Sequence, residues 1–224
     1  MERKPFIIYE NFLNEEELNL LWKGIKKSRR NFERLQIVIK KRKHRNAHVL
    51  YRPHAFFFYN LLAPKLLPAL IKAKNYFNVK DILDFSDVEC QCTRTGNGEC
   101  FGMHSDIDEY TRDELGFPDR VLSYVFYFHM PDAFQGGELF IKPNYTLKMP
   151  HNSLILFTSD LEHEVKETQV EREDWLKARW TINGWVSRHS DIRKEPRKPK
   201  IEIRSLEEIN LETIGIGELE TIQL

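Results

Sequence analysis

His104 and Asp106 stand two apart in the stretch FGMHSD, and another metal-competent side chain, His163, follows on a distant segment. Alternate residues of an extended strand leave the same face, so an imidazole and a carboxylate spaced HxD project together. A second imidazole from another strand then completes two nitrogens and one carboxylate on one side of a metal. That set leaves three octahedral positions open, the arrangement suited to non-haem Fe(II) and O2 chemistry. Three protein ligands also suit catalytic zinc, and what separates the two is a docking point for a co-substrate. In ARWTINGWV, Arg179 and Thr181 share a strand face with Asn183 and Trp185, while Trp180, Ile182 and Val186 face away. A guanidinium is permanently charged and forked, which suits it to pinning a carboxylate in a semi-buried pocket. In VLSYVFYFH, the smaller and more polar face carries Ser123, Val125, Tyr127 and His129 and is expected to line a cavity. The Tyr127 phenol there offers the same carboxylate a second hydrogen bond.

These side chains need a rigid frame. From Asp87 onward apolar residues alternate with period two in short segments, Val88 to Thr95, Val121 to His129, Glu138 to Lys142, Ser153 to Thr158 and Ala178 to Val186. Turn residues separate them, so the carboxy-terminal half reads as antiparallel strands of a sandwich or barrel. Ahead of it, Asn14 with Glu17 forms a capping signature, and Leu18, Leu21, Trp22 and Ile25 share one face of a helix expected over about 15–28. A second helix is expected around Leu61, Leu62, Leu66, Leu67, Leu70 and Ile71, with Pro64 and Pro68 restricting where it begins. Between the helices, a short alternation at Leu35, Ile37 and Ile39 precedes KKRKHR (Lys40 to Arg45), read as a solvated loop or strand end. His44, His48, His54, His129 and His151 read as structural or solvated, and His189 as exposed. After Arg188 comes a charged, proline-bearing linker, and the spacing of Leu and Ile over 206–224 does not separate helix, strand and disorder.

A length of 224 residues suits one large domain. No apolar run approaches the roughly 20 residues of a membrane span, and the first ten residues lack the apolar core of a secretory signal, so a cytoplasmic protein without membrane contact is expected. Cys90, Cys92 and Cys100 form no CxxC pair and read as reduced thiols. The net charge of zero conceals a division. Residues 1–80 hold 18 basic and 6 acidic side chains, and residues 81–180 hold 9 and 20. The basic part is expected to suit an acidic partner such as a carrier protein or acidic peptide segment. Acidic surroundings at the predicted metal site suit a divalent cation and cationic substrates, and count against a nucleic-acid partner.

Four stretches, TGNGECFGMHSD, RVLSYVFYFHMPDAFQGGELFI, PHNSLILFTSDLEHEV and ARWTINGWV, follow one another in order over about 87–186. In that order and spacing they resemble the Fe(II)- and 2-oxoglutarate-dependent dioxygenases, in the branch that includes prolyl 4-hydroxylases. The resemblance implies a mostly β fold with flanking helices around a double-stranded β-helix, a jelly-roll of cupin type. It would place a supporting helical and β region of the same domain over 1–86, the catalytic core over 87–188, and a linker and tail over 189–224. It implies His104, Asp106 and His163 as iron ligands and Arg179 as the anchor of 2-oxoglutarate's distal carboxylate, with Tyr127 and Thr181 assisting. Arg94, Asn97 and Trp185 are the expected substrate contacts. The implied cofactors are Fe(II), 2-oxoglutarate and O2, with ascorbate as reductant. The implied reaction hydroxylates an unactivated C–H bond of an amino acid, free or in a peptide or protein, with decarboxylation of 2-oxoglutarate to succinate. A carboxylate at Asp106, where halogenating relatives have Gly or Ala, favours hydroxylation. The sequence VEREDW looks like an insertion in the hairpin between His163 and Arg179. A biosynthetic tailoring oxygenase acting on a carrier-bound or other small natural product is the alternative, and a non-catalytic metal- or partner-binding β-barrel is a further one.

Overall fold

The structure, a computed structural model, describes residues 3–39, 42–107, 119–171 and 174–189. The linker beyond His189 and the tail 206–224 therefore lie outside the described residues, as do Lys40 and Lys41 of the basic run.

The first helix, α1 (Glu15–Ser28), has the expected bounds because its start is chemically fixed. The Asn14 side chain accepts from the Glu17 backbone N–H at 2.8 Å, and the Glu17 carboxylate accepts from the Asn14 N–H at 2.7 Å. Its Leu21 and Ile25 are fully buried. The second helix, α2 (Phe56–Tyr76), does not stop at its prolines but contains both. Pro64 and Pro68 are four apart and share the exposed face, where carbonyls left without an N–H partner meet water. Leu61, Leu62, Leu66 and Leu70 occupy the buried face, whereas Ile71, which the spacing counted as apolar face, is 50% exposed.

Among the described residues, twelve strands form one antiparallel sheet. In chain order they are β1 (Phe6–Glu10), β2 (Glu33–Ile39), β3 (Arg42–Leu50), β4 (Gln91–Thr95), β5 (Glu99–His104), β6 (Arg120–Phe128), β7 (Gln135–Gly136), β8 (Leu139–Ile141), β9 (Tyr145–Leu147), β10 (Ser153–Thr158), β11 (His163–Gln169) and β12 (Arg179–Ser187). Their spatial order is β1-β10-β6-β12-β4-β3-β5-β11-β8-β9, with β2 attached to β3 and β7 to β11. Leu139 of β8 and Val125 of β6 are far apart in that order yet line one chamber, so the sheet curls around it. With the helices outside, this is the expected double-stranded β-helix.

Alternation sorts the side chains by strand face. Trp180, Ile182 and Val186 of β12 join Phe126 and Phe128 of β6 in the main core under the helices. Tyr127, Leu139, Ile141, Ile155 and Phe157 form a smaller core on the inner side. Strand β1 carries no sequence signal, since FIIYE lacks alternation; pairing with β10 in the register Phe6↔Phe157 to Glu10↔Ser153 defines it. The basic run, expected as a solvated loop or strand end, does fall at a strand end, since β3 begins at Arg42 within it; β3 lies between β4 and β5, and its Arg45 lines the chamber instead of facing solvent. A charge run without apolar period carries no signal for such an insertion, because pairing with β2, β4 and β5 supplies it. Among the described residues, no helix is long and apolar enough to cross a membrane.

Gly184 marks a point where backbone meets backbone. A Cβ there would lie 1.8 Å from the Glu89 carbonyl oxygen, which also accepts from the Tyr124 hydroxyl at 2.9 Å. Gly184→Ala is therefore expected to push β12 from the 89 segment and destabilise the fold by roughly 1–3 kcal/mol. Chemical denaturation measures this, and an unchanged midpoint would refute the close approach.

Candidate active site

His104 ends β5, His163 opens β11, and the two are direct cross-strand partners. Asp106 sits just past β5, held by its N–H on the Ser159 carbonyl at 2.9 Å. The arrangement brings the three expected ligands together: one donor atom from each falls within 4.8 Å of the others. The Asp106 carboxylate is 3.7 Å from His104 Nε2 through one oxygen and 3.7 Å from His163 Nε2 through the other.

The orientation of each ligand has a local cause. His104 Nδ1 lies 2.8 Å from the Gly102 carbonyl and His163 Nδ1 lies 2.8 Å from the Leu161 carbonyl. A carbonyl only accepts, so each Nδ1 must carry the proton and each Nε2 lone pair is turned toward the common point. Burial, reinforced by the neighbouring His163, drives the His104 pKa down to about 4, so its ring is neutral and a competent ligand at neutral pH. Phe101 stacks on that ring at 3.6 Å between centroids. Ser123 donates to Asp106 at 2.7 Å and pairs with Ser159 at 2.9 Å, which fixes the carboxylate. Two imidazoles and one oriented carboxylate on one side of a chamber fit Fe(II).

Arg179 and Tyr127 line the same chamber. Arg179 Nη2 donates to the Tyr127 hydroxyl at 2.9 Å, and its Nε donates to the Gly137 carbonyl at 3.0 Å. Gly137 adopts φ +67°, and a Cβ on it would meet Arg179 Cδ at 2.9 Å. The glycine pair thus does more than turn the chain: it lets the backbone approach and orient the guanidinium. Thr181, directly opposite Tyr127 in register, is buried beside them on the chamber wall. All four residues expected on the inner face of β12 line the chamber: Arg179, Thr181, Asn183 and Trp185. Of the polar face of β6, Ser123, Val125 and Tyr127 do so, while His129 lies beyond the strand end and its N–H donates to His151.

Arg94 and Asn97 are placed elsewhere. Arg94 alternates with chamber-lining Thr93 and Thr95, so it emerges on the opposite side of β4. There it lies over Trp175 at 4.7 Å, donates to the Trp175 carbonyl at 2.9 Å, and shares a second hollow with Arg29, Arg34, His48 and Asn97. Trp175 belongs to the inserted VEREDW, so the insertion covers Arg94. Among the described residues lining the chamber, Asp106 is the one carboxylate, against Arg45 and Arg179; the acidic stretch over 108–114, on which the expectation of acidic surroundings partly rests, lies outside the described residues. Ser123 could be read from its strand face, but Ser159, Phe101, Gly137 and Arg45 act through contacts made by tertiary pairing.

Residues 90–187 match the family model of the 2OG-Fe(II) oxygenase superfamily. The match covers less than half of the chain but contains every expected metal and co-substrate residue. A PKHD-type hydroxylase of Synechocystis, itself uncharacterized, is 26% identical over 196 residues, covering 79% of this chain. The chain spans 61% of that relative's length. A Pseudomonas putida prolyl-4-hydroxylase shares the fold with a TM-score of 0.58 at 18% identity, covering 83% of this chain and 94% of that one. A Trichoplax adhaerens prolyl hydroxylase, solved with a hypoxia inducible factor peptide fragment, superposes with a TM-score of 0.57 at 17% identity over 82% and 84% of the two chains.

Proposed function

We propose that the oxygenase hydroxylates an unactivated C–H bond of an amino acid residue, free or within a peptide or protein, while converting 2-oxoglutarate to succinate and CO2. One observation carries this reading: the His104, Asp106 and His163 cluster shares its chamber with a buried Arg179–Tyr127 clamp. A zinc hydrolase needs no second carboxylate anchor behind its metal, and a binding module needs no open-sided ligand set. The three ligands would hold Fe(II), which with 2-oxoglutarate supplies the oxidising chemistry. The chain's own groups do the positioning. Arg179 pairs with the distal carboxylate, and the Tyr127 hydroxyl, whose pKa burial raises, stays protonated and can donate a second hydrogen bond. Apolar neighbours Val125, Leu139 and Val165 exclude water around the clamp. The PKHD-type relative and the prolyl hydroxylase folds support an amino-acid C–H as the target.

Protein loaded anaerobically with Fe(II) and then given 2-oxoglutarate and O2, with ascorbate as reductant, is expected to form succinate slowly even without a prime substrate. No succinate, together with no change in visible absorbance on adding 2-oxoglutarate anaerobically, would overturn the proposal.

A further inference from the structure

Among the described residues, three arginines stand at or beside the chamber, and two of them are accounted for. Arg179 is committed to Tyr127 and Gly137. Arg120 grips Glu89 through two hydrogen bonds, of 3.0 and 2.7 Å, and lies over the Trp185 ring at 3.6 Å. Arg45 is different. It lines the chamber directly, opposite Phe101 in the β3–β5 register, with its guanidinium over the Phe101 ring at 4.5 Å. Among the described residues it makes no ion pair with a carboxylate.

That position is energetically costly for a charged group. Burial lowers the Arg45 pKa, yet a guanidinium keeps its proton under all ordinary conditions. Arg45 is a half-buried charge beside Ala47, Phe101 and Val165 that feels the Asp106 carboxylate at a distance but has no direct ion pair among the described residues, and such a charge is favoured by a bound anion. Phe101 also stacks on His104, so the guanidinium sits one aromatic ring away from a metal ligand. A group bound to Arg45 would belong to a molecule lying against the metal centre. The co-substrate already has its own arginine on β12, so the partner of Arg45 is a second anion.

We infer that Arg45 is a specificity-determining residue that receives a carboxylate of the substrate, so that the oxygenase acts on amino-acid substrates carrying a negative group close to the reacting carbon. The inference rests on the hydroxylase reading and narrows it. It reverses the expectation of cationic substrates drawn from regional charge. It also gives one residue of the KKRKHR run a role in the site. The carboxylate has two chemical sources, the α-carboxylate of a free amino acid or the side chain of an acidic residue in a peptide.

The test compares acids with their neutral amides. Wild-type protein is offered the free L-amino acids and the matching amino-acid amides, and end-blocked peptides in which Glu or Asp alternates with Gln or Asn. Ligand-observed NMR on metal-free protein reads binding, and succinate formation with a mass gain of one oxygen reads turnover. Acids are expected to bind and stimulate roughly ten- to a hundredfold better than amides, the range for a charge-assisted hydrogen bond. The free-acid arm and the peptide arm separate the two sources. Arg45→Gln should erase the difference, with the loss expressed in substrate KM more than in kcat, and Arg45→Lys should keep part of it. Acids and amides acting alike, or neither acting, overturns the inference. So does an Arg45→Gln protein whose 2-oxoglutarate requirement rises while its preference for acids persists, because Arg45 would then serve the co-substrate. Absence of substrate-free succinate formation strikes instead at the underlying hydroxylase reading, and the NMR discrimination between acid and amide remains readable in that case.

Discussion

Replacing His163 by alanine is expected to lower Fe(II) affinity by more than about a hundredfold and to take succinate formation to background. Removing an outer hydrogen-bond partner of a metal ligand already costs about 10–100-fold, and here a ligand itself is lost. The remaining pair, His104 and Asp106, leave one protein donor too few to hold one side of the metal. The loss should be confined to the site. His163 packs edge-on against Phe157 at 4.9 Å, and its Nδ1 contact reaches a loop carbonyl at Leu161, so alanine leaves a gap but buries no unpaired charge. Asp106→Asn tests the same site differently. It keeps the shape and the Ser123 contact but removes the negative charge, so metal affinity should fall while the metal-free protein keeps its thermal midpoint. Calorimetric titration with Mn(II) as an air-stable stand-in for Fe(II) reads both variants. Undiminished affinity in His163→Ala would remove that residue from the ligand set.

The parts of this site legible in the sequence are those set by strand parity. Once ARWTINGWV is a strand, Arg179, Thr181, Asn183 and Trp185 must share a face, and the chamber lining follows that rule. The HxD spacing likewise sends two ligands the same way. Helix α1 was legible to its ends because a capping box is a local, directional hydrogen-bond pattern. What was not legible depends on partners distant in the chain. β1 exists because β10 offers it an edge, and β3 because β2, β4 and β5 flank it. Arg94 was expected at the substrate, yet the parity that puts Thr93 and Thr95 inside puts Arg94 outside, beneath the inserted Trp175. A count over a hundred residues describes a surface field, whereas the few side chains that touch a ligand are selected by strand face and register.

Arg179→Met is expected to raise the 2-oxoglutarate requirement roughly ten- to a hundredfold while metal affinity stays at the wild-type level. A charge-assisted hydrogen bond is worth about 1.5–3 kcal/mol, and among the described residues the guanidinium is the one cation on that wall of the chamber. Tyr127→Phe keeps the packing and loses one neutral donor, so its effect should be several-fold. Arg179→Lys supplies the charge without the fork and should fall between. Stability supplies the decisive contrast with a merely structural arginine. Arg179 is 3% exposed, and its guanidinium meets a hydroxyl and a carbonyl but, among the described residues, no carboxylate. In the co-substrate-free protein that buried charge is held without its counter-ion, at an energetic disadvantage that 2-oxoglutarate removes. The Met variant should therefore melt at or above the wild-type temperature when free. Ligand binding raises stability by mass action, so saturating 2-oxoglutarate with Mn(II) should raise the wild-type midpoint beyond the rise given by Mn(II) alone, and that extra increment should vanish in Arg179→Met. A variant that unfolds at a lower temperature yet retains the increment would show that Arg179 braces β12 against β6 and leaves the carboxylate to another group.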